Sequence, residues 1–502
     1  RQLASALPAA AAAIAFAGVA AGRVSEGGCR QPVGARCRRC VADGHLPLTA
    51  AAQARSVHCD AARGPPAGLV RIEAGRLIPG RGEPIRDGVV VLDGRRIAYA
   101  GPAAGAPATD GAEVFRGAAV MPGMWDCHTH FIGCRDSSKQ PVFDEVFKTS
   151  GTTRALRCVA HAAKLLDAGF TSVREVGGMG DALATAIADG SIRGPHVYFA
   201  GDILSTTGGH GDMHEVSLES YQACPHTFAY LCDGIPECLK GVRTQLRKGA
   251  SVIKICASGG VMSKVDDPIH QQFSDEELKA ICDEAHRAEV NVAAHCHGKA
   301  GILAALRAGV DTIEHGTHID DECIDLMLQQ GAMLVPTRWI FESLKQVIGD
   351  RKVGDAPPPG LDQWQADKLV LTYHDHKRNV SAAIKRGVKV AVGCDIFVAE
   401  GMGHNGRELE HLTGLGMTPL QAIEAATANG AETLGPLAPK TGVLVVGWDA
   451  DVILLSEDPL LDIRILGEAK NVTHVWKAGA LVKPFKATQG PHGKAYAAWD
   501  QA

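Results

Sequence analysis

The middle of this chain alternates apolar, strand-like runs with amphipathic, helix-like segments, and eight such runs can be counted. They cover residues 118–131, 170–177, 196–201, 251–258, 291–298, 312–319, 332–338 and 389–396. Strands that alternate with helices build a parallel sheet, and eight is the number that closes a barrel. The sequence therefore predicts an α/β fold with a (β/α)8 TIM barrel over residues 121–436.

A doubly wound open sheet is the alternative arrangement for the same alternation. It is disfavoured because no GxGxxG sequence follows the first run. The segments between the runs also have the pattern of complete helices. One of them starts with Ser274 and Glu277, which have the spacing of a capping box.

The two ends of the chain have a different sequence pattern from the middle. Residues 66–120 and 437–485 contain short alternating segments separated by Gly, Asp and Pro. This likeness predicts that both ends meet in a small composite β-sandwich into which the barrel is inserted. Residues 486–502 are predicted to be a C-terminal tail.

Residues 1–65 are rich in Ala and Arg and include Cys29, Cys37, Cys40 and Cys59. The CRRC sequence at 37–40 has the spacing of a metal or redox pair, but without a second pair it favours an extension outside the fold. The apolar stretch at residues 7–22 has the character of a secretory signal. The fifteen scattered cysteines instead favour a reducing, cytoplasmic compartment, so the sequence leaves both localisations open.

The charge balance limits the partners of this chain. A formal net charge of -5 gives no basic surface for nucleic acid, and no uninterrupted apolar stretch reaches the length of a membrane span. The expected partner is therefore a small-molecule substrate rather than nucleic acid or a membrane. We also expect the chain to form a homo-oligomer.

Several polar side chains interrupt the apolar runs near their carboxyl ends. They are His128, His130, Lys254, His295, His297, His315 and Asp395. Because the C-terminal ends of barrel strands open at one mouth, these side chains are expected to meet there. His128 and His130 are two residues apart, so a strand points both imidazoles to one face, where they can share a cation.

Each of these residues taken singly has an ordinary explanation. Lys254 could extend its ammonium to water, and Asp395 could cap a helix. Together they offer nitrogen and oxygen ligands without cysteine, which suits zinc, although manganese, cobalt or iron can use the same set. Cys127 and Cys296 adjoin candidate ligands, but strand alternation turns them to the opposite face, so we expect them in the core.

These motifs resemble those of the metal-dependent amidohydrolase superfamily. The superfamily carries HTH on its first strand, a lysine on the fourth, histidines on the fifth and sixth and an aspartate on the eighth, and the resemblance spans residues 67–484. Within it, VIKICASGG, AAHCHG and TIEHGTHID resemble the imidazolonepropionase-like and Xaa-Pro dipeptidase-like branch, and most closely the amidases that hydrolyse ochratoxin.

The resemblance implies two divalent metal ions, with zinc preferred. The implied ligands are His128, His130 and Asp395 for one ion and His295 and His315 for the other. Lys254 would react with CO2 and bridge both ions as a carbamate, because a buried, neutral amine is the nucleophile.

The resemblance also implies hydrolysis by a metal-bridging hydroxide, since two cations lower the pKa of a bound water. Asp395 would take the proton of this hydroxide and deliver it to the departing amine. His297 would either hydrogen-bond the tetrahedral oxyanion or orient a neighbouring ligand, and both alternatives remain open.

Substrate contacts are expected in the loops after the strands. The TTGGHGDMHE sequence at residues 206–215 resembles a loop of the same branch and predicts that His210 lines the pocket. Tyr230 and Arg338 are candidates to bind a substrate carboxylate. The alternatives are a core position for Tyr230 and pairing with a surface acid for Arg338.

The predicted function is hydrolysis of an amide bond in an N-acyl amino acid, a dipeptide or an ochratoxin-like aromatic amide. Hydrolysis of a cyclic amide, imide or lactone at the same site is the alternative. A non-catalytic scaffold on the same barrel is a third hypothesis. It is disfavoured because the chain keeps all six ligand positions.

Overall fold

The computed structural model describes residues 68–135, 142–214, 216–224, 227–359 and 361–484. The predicted extension at residues 1–65 and the predicted tail at 486–502 lie outside the described residues.

Sixteen strands and thirteen α-helices make up the described chain. The strands are β1 Leu69–Leu77, β2 Ile85–Asp93, β3 Arg96–Pro102, β4 Glu113–Pro122, β5 Met124–Thr129, β6 Phe170–Glu175, β7 His196–Phe199, β8 Ile203–Ser205, β9 Ala229–Leu231, β10 Val252–Cys256, β11 Asn291–Cys296, β12 Thr312–His315, β13 Met333–Val335, β14 Val452–Leu455, β15 Val472–Lys477 and β16 Ala480–Lys483. The helices are α1 Val142–Lys148, α2 Gly151–Asp167, α3 Gly180–Ala188, α4 Leu218–Ala223, α5 Gly234–Lys248, α6 Asp275–Arg287, α7 Lys299–Ala308, α8 Asp321–Gln330, α9 Arg338–Ile348, α10 Gln363–Lys385, α11 Arg407–Gly414, α12 Pro419–Ala425 and α13 Ala428–Glu432.

Strands β5 to β13 and one further segment form a parallel, TIM-barrel-like domain. β5, β6 and β7 pair in one sheet, and β13, β12, β11, β10, β8 and β9 pair in a second. The two sheets are joined on one side by the Ser251 amide, which donates to Phe199 O at 2.8 Å. This arrangement confirms the predicted barrel architecture.

The other side of the barrel is closed by residues 389–396, the predicted eighth strand. Ala391 N donates to Leu334 O on β13 at 3.0 Å, and Cys127 N on β5 donates to Val392 O at 2.8 Å. The segment is not a regular strand because it crosses its neighbours closely. A Cβ on Gly393 would lie 2.4 Å from the Val335 side chain, so only glycine fits there.

A seven-stranded sheet joins both ends of the described chain in the order β16-β15-β14-β4-β1-β2-β3. β4 pairs in parallel with β1 and antiparallel with β14, which links the N-terminal strands to the C-terminal ones. Ile72, Leu454 and Trp476 are buried in its apolar cluster. The described residues form this single sheet here, so the two layers of the predicted β-sandwich are not confirmed.

The barrel helices begin and end where local sequence signals place them. At the start of α6, Glu277 N donates to Ser274 Oγ at 3.3 Å, and Ser274 N donates to the Glu277 carboxylate at 2.8 Å. This is the predicted capping box, which satisfies two otherwise unpaired amides. No helix in the described part of the chain is both long and apolar enough to cross a membrane.

Candidate active site

The first group of candidate ligands forms where β5 meets the eighth barrel segment. His130 Nε2 lies 3.3 Å from Asp395 Oδ1, and His128 Nε2 lies 3.6 Å from the same oxygen. Their ligand atoms all lie within 4.8 Å of one another. That spacing allows the two imidazoles and the carboxylate to share one cation.

The second group combines the ends of β11 and β12. His295, His297 and His315 are buried, and their ligand atoms also lie within 4.8 Å of one another. The ring centroids of His295 and His315 are 4.6 Å apart. The His315 ring lies 5.0 Å from that of His128, so the two groups adjoin at one barrel mouth.

Lys254 on β10 points into this cluster of imidazoles. Its Nζ lies 3.5 Å from His128 Nε2, and only 2% of the residue is exposed. Among the described residues no carboxylate forms an ion pair with it within 4.0 Å. A snorkelling position is excluded by this burial, and burial also lowers the pKa of the amine.

Hydrogen bonds to acceptors fix which ring nitrogen of three imidazoles carries the proton. His128 Nδ1 donates to Glu314 Oε2 at 2.7 Å, and His130 Nδ1 donates to Gly177 O at 2.7 Å. His295 Nε2 donates to Gly259 O at 3.2 Å. The opposite nitrogen of each ring therefore keeps a free lone pair, which is what a cation needs. The donor set thus fits two divalent ions.

A buried polar network that the sequence reasoning missed holds His128 in place. Glu314 Oε1 accepts from Arg174 Nη2 at 2.7 Å and from Thr312 Oγ1 at 2.6 Å. Arg174 Nε donates to Cys127 O at 2.7 Å. Burial acts to raise the pKa of Glu314, but Arg174 and His128 outweigh it and hold that pKa well below its usual value. An ionised Glu314 can only accept, so it orients His128.

Two candidate ligands have backbone angles that non-glycine residues rarely adopt. His315 has a φ of 68° and Asp395 a φ of 56°. Thr337, with a φ of 52°, brings its Oγ1 to 2.7 Å from His315 Nδ1. Strained conformations of this kind persist where the surroundings enforce them, and they concentrate at functional sites.

The site lies at the floor of a cavity of ≈ 160 Å³ with largely apolar walls. The lining residues are His130, Ile132, Ile203, His210, Phe228, Val261, Met262, His295, His297, His315, Ile340, Phe341, Leu344, Leu369, Asp395 and Phe397. None of these lining residues, which belong to the described part of the chain, is a lysine or an arginine. The cavity therefore suits an aromatic or aliphatic group beside the polar floor.

Among the three predicted substrate residues, only His210 lies at the cavity. Its ring stacks on His295 with centroids 4.2 Å apart, and its Nδ1 lies 2.9 Å from Ser263 Oγ. Tyr230 packs against the core instead, beside Gly241 of α5.

Arg338 is also absent from the lining, because its guanidinium is occupied elsewhere. It is buried at the start of α9 and donates to Glu342 Oε1 from Nε at 2.9 Å and from Nη2 at 2.6 Å. The assignment of Tyr230 and Arg338 to a substrate carboxylate is therefore not supported.

Burial sets the protonation of the site. It lowers the pKa of His128 to about 4 and the pKa values of His295, His297 and His315 well below the usual value. Burial would raise the pKa of Asp395, but His128 and a hydrogen bond from His130 lower it overall. At neutral pH these four imidazoles are therefore neutral and Asp395 is a carboxylate, which are the forms that bind metals.

Comparison with known proteins agrees with this geometry. The sequence pattern of the Amidohydrolase family matches residues 119–482. This chain belongs to the amidohydrolase family. The ochratoxinase of Aspergillus niger is 42% identical over 427 residues, which cover 82% of this chain and 86% of that protein. The crystal structure of A. niger ochratoxinase matches with a TM-score of 0.75 at 40% identity, covering 82% of this chain and 95% of that one.

Two further amidohydrolase relatives match over most of their length. The crystal structure of a Xaa-Pro dipeptidase with bound methionine in the active site has a TM-score of 0.72 at 30% identity, covering 82% of this chain and 99% of that one. The imidazolonepropionase of Cutibacterium acnes is 27% identical over 420 residues, covering 80% of this chain and 91% of that protein. This amidohydrolase is therefore a hydrolase that acts on carbon–nitrogen bonds.

Proposed function

We propose that this amidohydrolase hydrolyses the amide bond of an N-acyl amino acid, a dipeptide or an ochratoxin-like aromatic amide. The observation that carries the proposal is the union of two features in one cavity. Imidazoles and a carboxylate form its floor, and Phe228, Phe341 and Phe397 stand among the apolar side chains of its walls. Such walls favour substrates with a large aromatic or aliphatic group next to the scissile amide.

The proposed metal centre uses the six donors described above. His128, His130 and Asp395 would hold one divalent ion, and His295 and His315 the other. The ions, zinc by preference, would supply a Lewis acid for the amide carbonyl and an activated water. Lys254 would carry a CO2-derived carbamate whose two oxygens bridge the ions, which its burial and lowered pKa favour.

Asp395 is proposed to move the proton in both halves of the reaction. Its Oδ1 lies beside His128 and His130, and the residue lines the cavity. The carboxylate would accept a proton from the attacking water and donate it to the amide nitrogen as that nitrogen departs. A lowered pKa keeps Asp395 ionised before attack, so it starts in the basic form.

His297 is proposed to stabilise the oxyanion of the tetrahedral intermediate. Its Nδ1 lies 2.7 Å from Thr317 Oγ1, and its ring lines the cavity. If Thr317 donates to Nδ1, the proton of His297 resides on Nε2, where it can be donated to an oxyanion. This role needs the tautomer opposite to that of His128.

The relatives support the choice of substrate class. One is named for the hydrolysis of ochratoxin and another is a Xaa-Pro dipeptidase with methionine in its active site. His210 is the proposed contact for the polar end of the substrate, since its ring is fixed by Ser263 at the cavity wall.

A substrate panel tests the proposal. Zinc-loaded protein would be assayed on ochratoxin A, N-benzoyl-L-phenylalanine, N-acetylglycine and a cyclic imide such as hydantoin. We expect kcat/KM for the two aromatic amides to exceed that for N-acetylglycine by about 10-fold or more, as apolar contacts of this kind discriminate. Turnover of the cyclic imide alone would favour the cyclic-amide alternative and overturn the proposal.

A further inference from the structure

Asp126 lies on β5, where this strand meets the eighth barrel segment, and it precedes His128 by two residues. Its carboxylate is fully buried, and Oδ1 accepts from His128 N at 3.0 Å and from Cys394 N at 3.1 Å. One oxygen atom therefore accepts hydrogen bonds both from the strand that carries the His128-Thr129-His130 sequence and from the segment that carries Asp395.

The other oxygen of Asp126 has a partner that is equally buried. Asn405 Nδ2 donates to Asp126 Oδ2 at 2.7 Å, and Asn405 Oδ1 accepts from Gly403 N at 3.1 Å. The amide and the carboxylate are thus oriented by one another. Neither can be exchanged alone without placing two donors or two acceptors face to face.

These hydrogen bonds matter for the contact between β5 and the eighth segment, because the eighth segment lacks regular strand pairing. Asp395 has a φ of 56°, and its amide donates to His128 O at 2.8 Å. The bond from Cys394 N fixes the residue just before this strained position. A conformation of this kind persists only where several contacts determine it together.

We propose that Asp126, with Asn405, is a positioning residue that sets the distance between the imidazoles of the HTH motif and the Asp395 carboxylate. It touches no substrate and acts through the backbone of both ligand-bearing segments. The inference rests on the proposed metal centre, since its effect is on the geometry offered to the ion. The Asp126 carboxylate itself takes no part in the proposed hydrolysis.

An exchange of the two side chains tests this directly. In Asp126→Asn an amide group faces the Asn405 amide, and in Asn405→Asp two carboxylates face one another. In the double variant, Asn at 126 can accept from both amides through its oxygen and donate to Asp at 405, so all four hydrogen bonds are restored. We expect each single variant to lose zinc to a competing chelator about 10- to 100-fold more readily than the wild type, and the double variant to recover most of the loss.

Two further measurements separate positioning from a general loss of stability. The visible absorption of the cobalt-substituted protein should change in the single variants and return in the double variant. Asp451→Asn is the matched control, because Asp451, just before β14, is a buried carboxylate that accepts from Ala478 N at 2.6 Å and lies 3.4 Å from His196. It should lower the melting temperature without changing zinc release.

The outcomes decide the proposal in every case. Wild-type zinc release from Asp126→Asn, or a double variant no better than the worse single one, would overturn it. If a single variant does not fold, the double variant decides alone: a folded protein with near-normal zinc release supports the proposal, and a misfolded or zinc-free one contradicts it. Failure of the wild type itself to retain zinc would overturn the proposed metal centre, and with it the positioning role of Asp126.

Discussion

Among single residues, Asp395 has two roles in the proposed mechanism, as a metal ligand and as the group that moves the proton. Replacing it by Asn would keep an oxygen ligand but remove the proposed acceptor and donor of the proton. We expect Asp395→Asn to retain much of its metal and to lose about 10²- to 10⁴-fold in kcat, the usual contribution of a positioned acid or base. Steady-state kinetics on the best amide of the panel, with metal content measured in parallel, checks this.

A control for this substitution is available in the segment after β14. Asp458 pairs with Arg76 at 3.1 Å, away from the cavity, so Asp458→Asn should leave kcat unchanged. Near-native turnover of Asp395→Asn would show that another group carries the proton.

The candidate metal ligands were easier to predict from the sequence than the residues that orient them. The two-residue spacing of His128 and His130 at a strand end predicted that both imidazoles share one face. Glu314 and Asp126 were missed, although Glu314 directly precedes His315 in TIEHG and Asp126 lies two residues before His128. Their partners, such as Arg174, come from distant strands, and a single sequence does not state which strands are neighbours.

At the scale of whole elements, α9 separates a structural face from a cavity face. Arg338 and Glu342 are four residues apart and pair along the helix. The sequence analysis left an acid partner for Arg338 open as the alternative to a substrate contact, without naming Glu342. Leu344 on the same helix lines the cavity, whereas Val347 is 47% exposed.

This division predicts different results for two truncations in α9. Leu344→Ala removes apolar contact with the substrate and should lower kcat/KM for an aromatic amide about 10-fold or more, mainly through KM. Val347→Ala should leave both constants unchanged, because its side chain faces solvent. Equal effects of the two variants would mean that this cavity is not the substrate site.

Regular elements were easier to predict than interrupted ones. β10, with the sequence VIKIC, and β11, with the sequence NVAAHC, are mostly apolar, as strands buried on both faces require. The third barrel strand is broken at Gly201, which has a φ of 77°, and continues as β8. The eighth segment keeps its place without regular geometry, since side chains such as Asp126 replace part of the ladder.

For the whole molecule, the buried histidines make stability depend on pH. The pKa of His128 is about 4 in the fold, and those of His295, His297 and His315 also lie well below 6.5. Between pH 6.5 and 4 the unfolded chain therefore binds more protons than the folded one, so the free energy of unfolding falls as the pH falls. Glu408, whose pKa burial raises to about 8, acts in the opposite direction, as do Glu175 and Asp126, whose pKa values burial also raises. These three carboxyl groups are outnumbered, because burial also lowers the pKa of His161 to about 4 and that of His376 to about 3.

We therefore expect the urea midpoint of the metal-free protein to be lower at pH 4.5 than at pH 7. Equilibrium unfolding followed by tryptophan fluorescence at both values checks this. A midpoint that stays constant or rises at the lower pH would show that these imidazoles are not buried in their neutral form.

The metal content of the purified, active protein and of Lys254→Ala is the decisive measurement for the proposed two-metal centre. If Lys254 bridges two ions, elemental analysis should find about two divalent ions per active wild-type chain, and the variant should lose metal and activity together. Lys477→Ala is the matched control, since Lys477 on β15 is also buried but donates to Gly194 O at 2.9 Å, just before β7. This variant should keep its metal. Added propionate could restore part of the lost rate by filling the space of the carbamate. Normal metal content and turnover in Lys254→Ala would contradict the account.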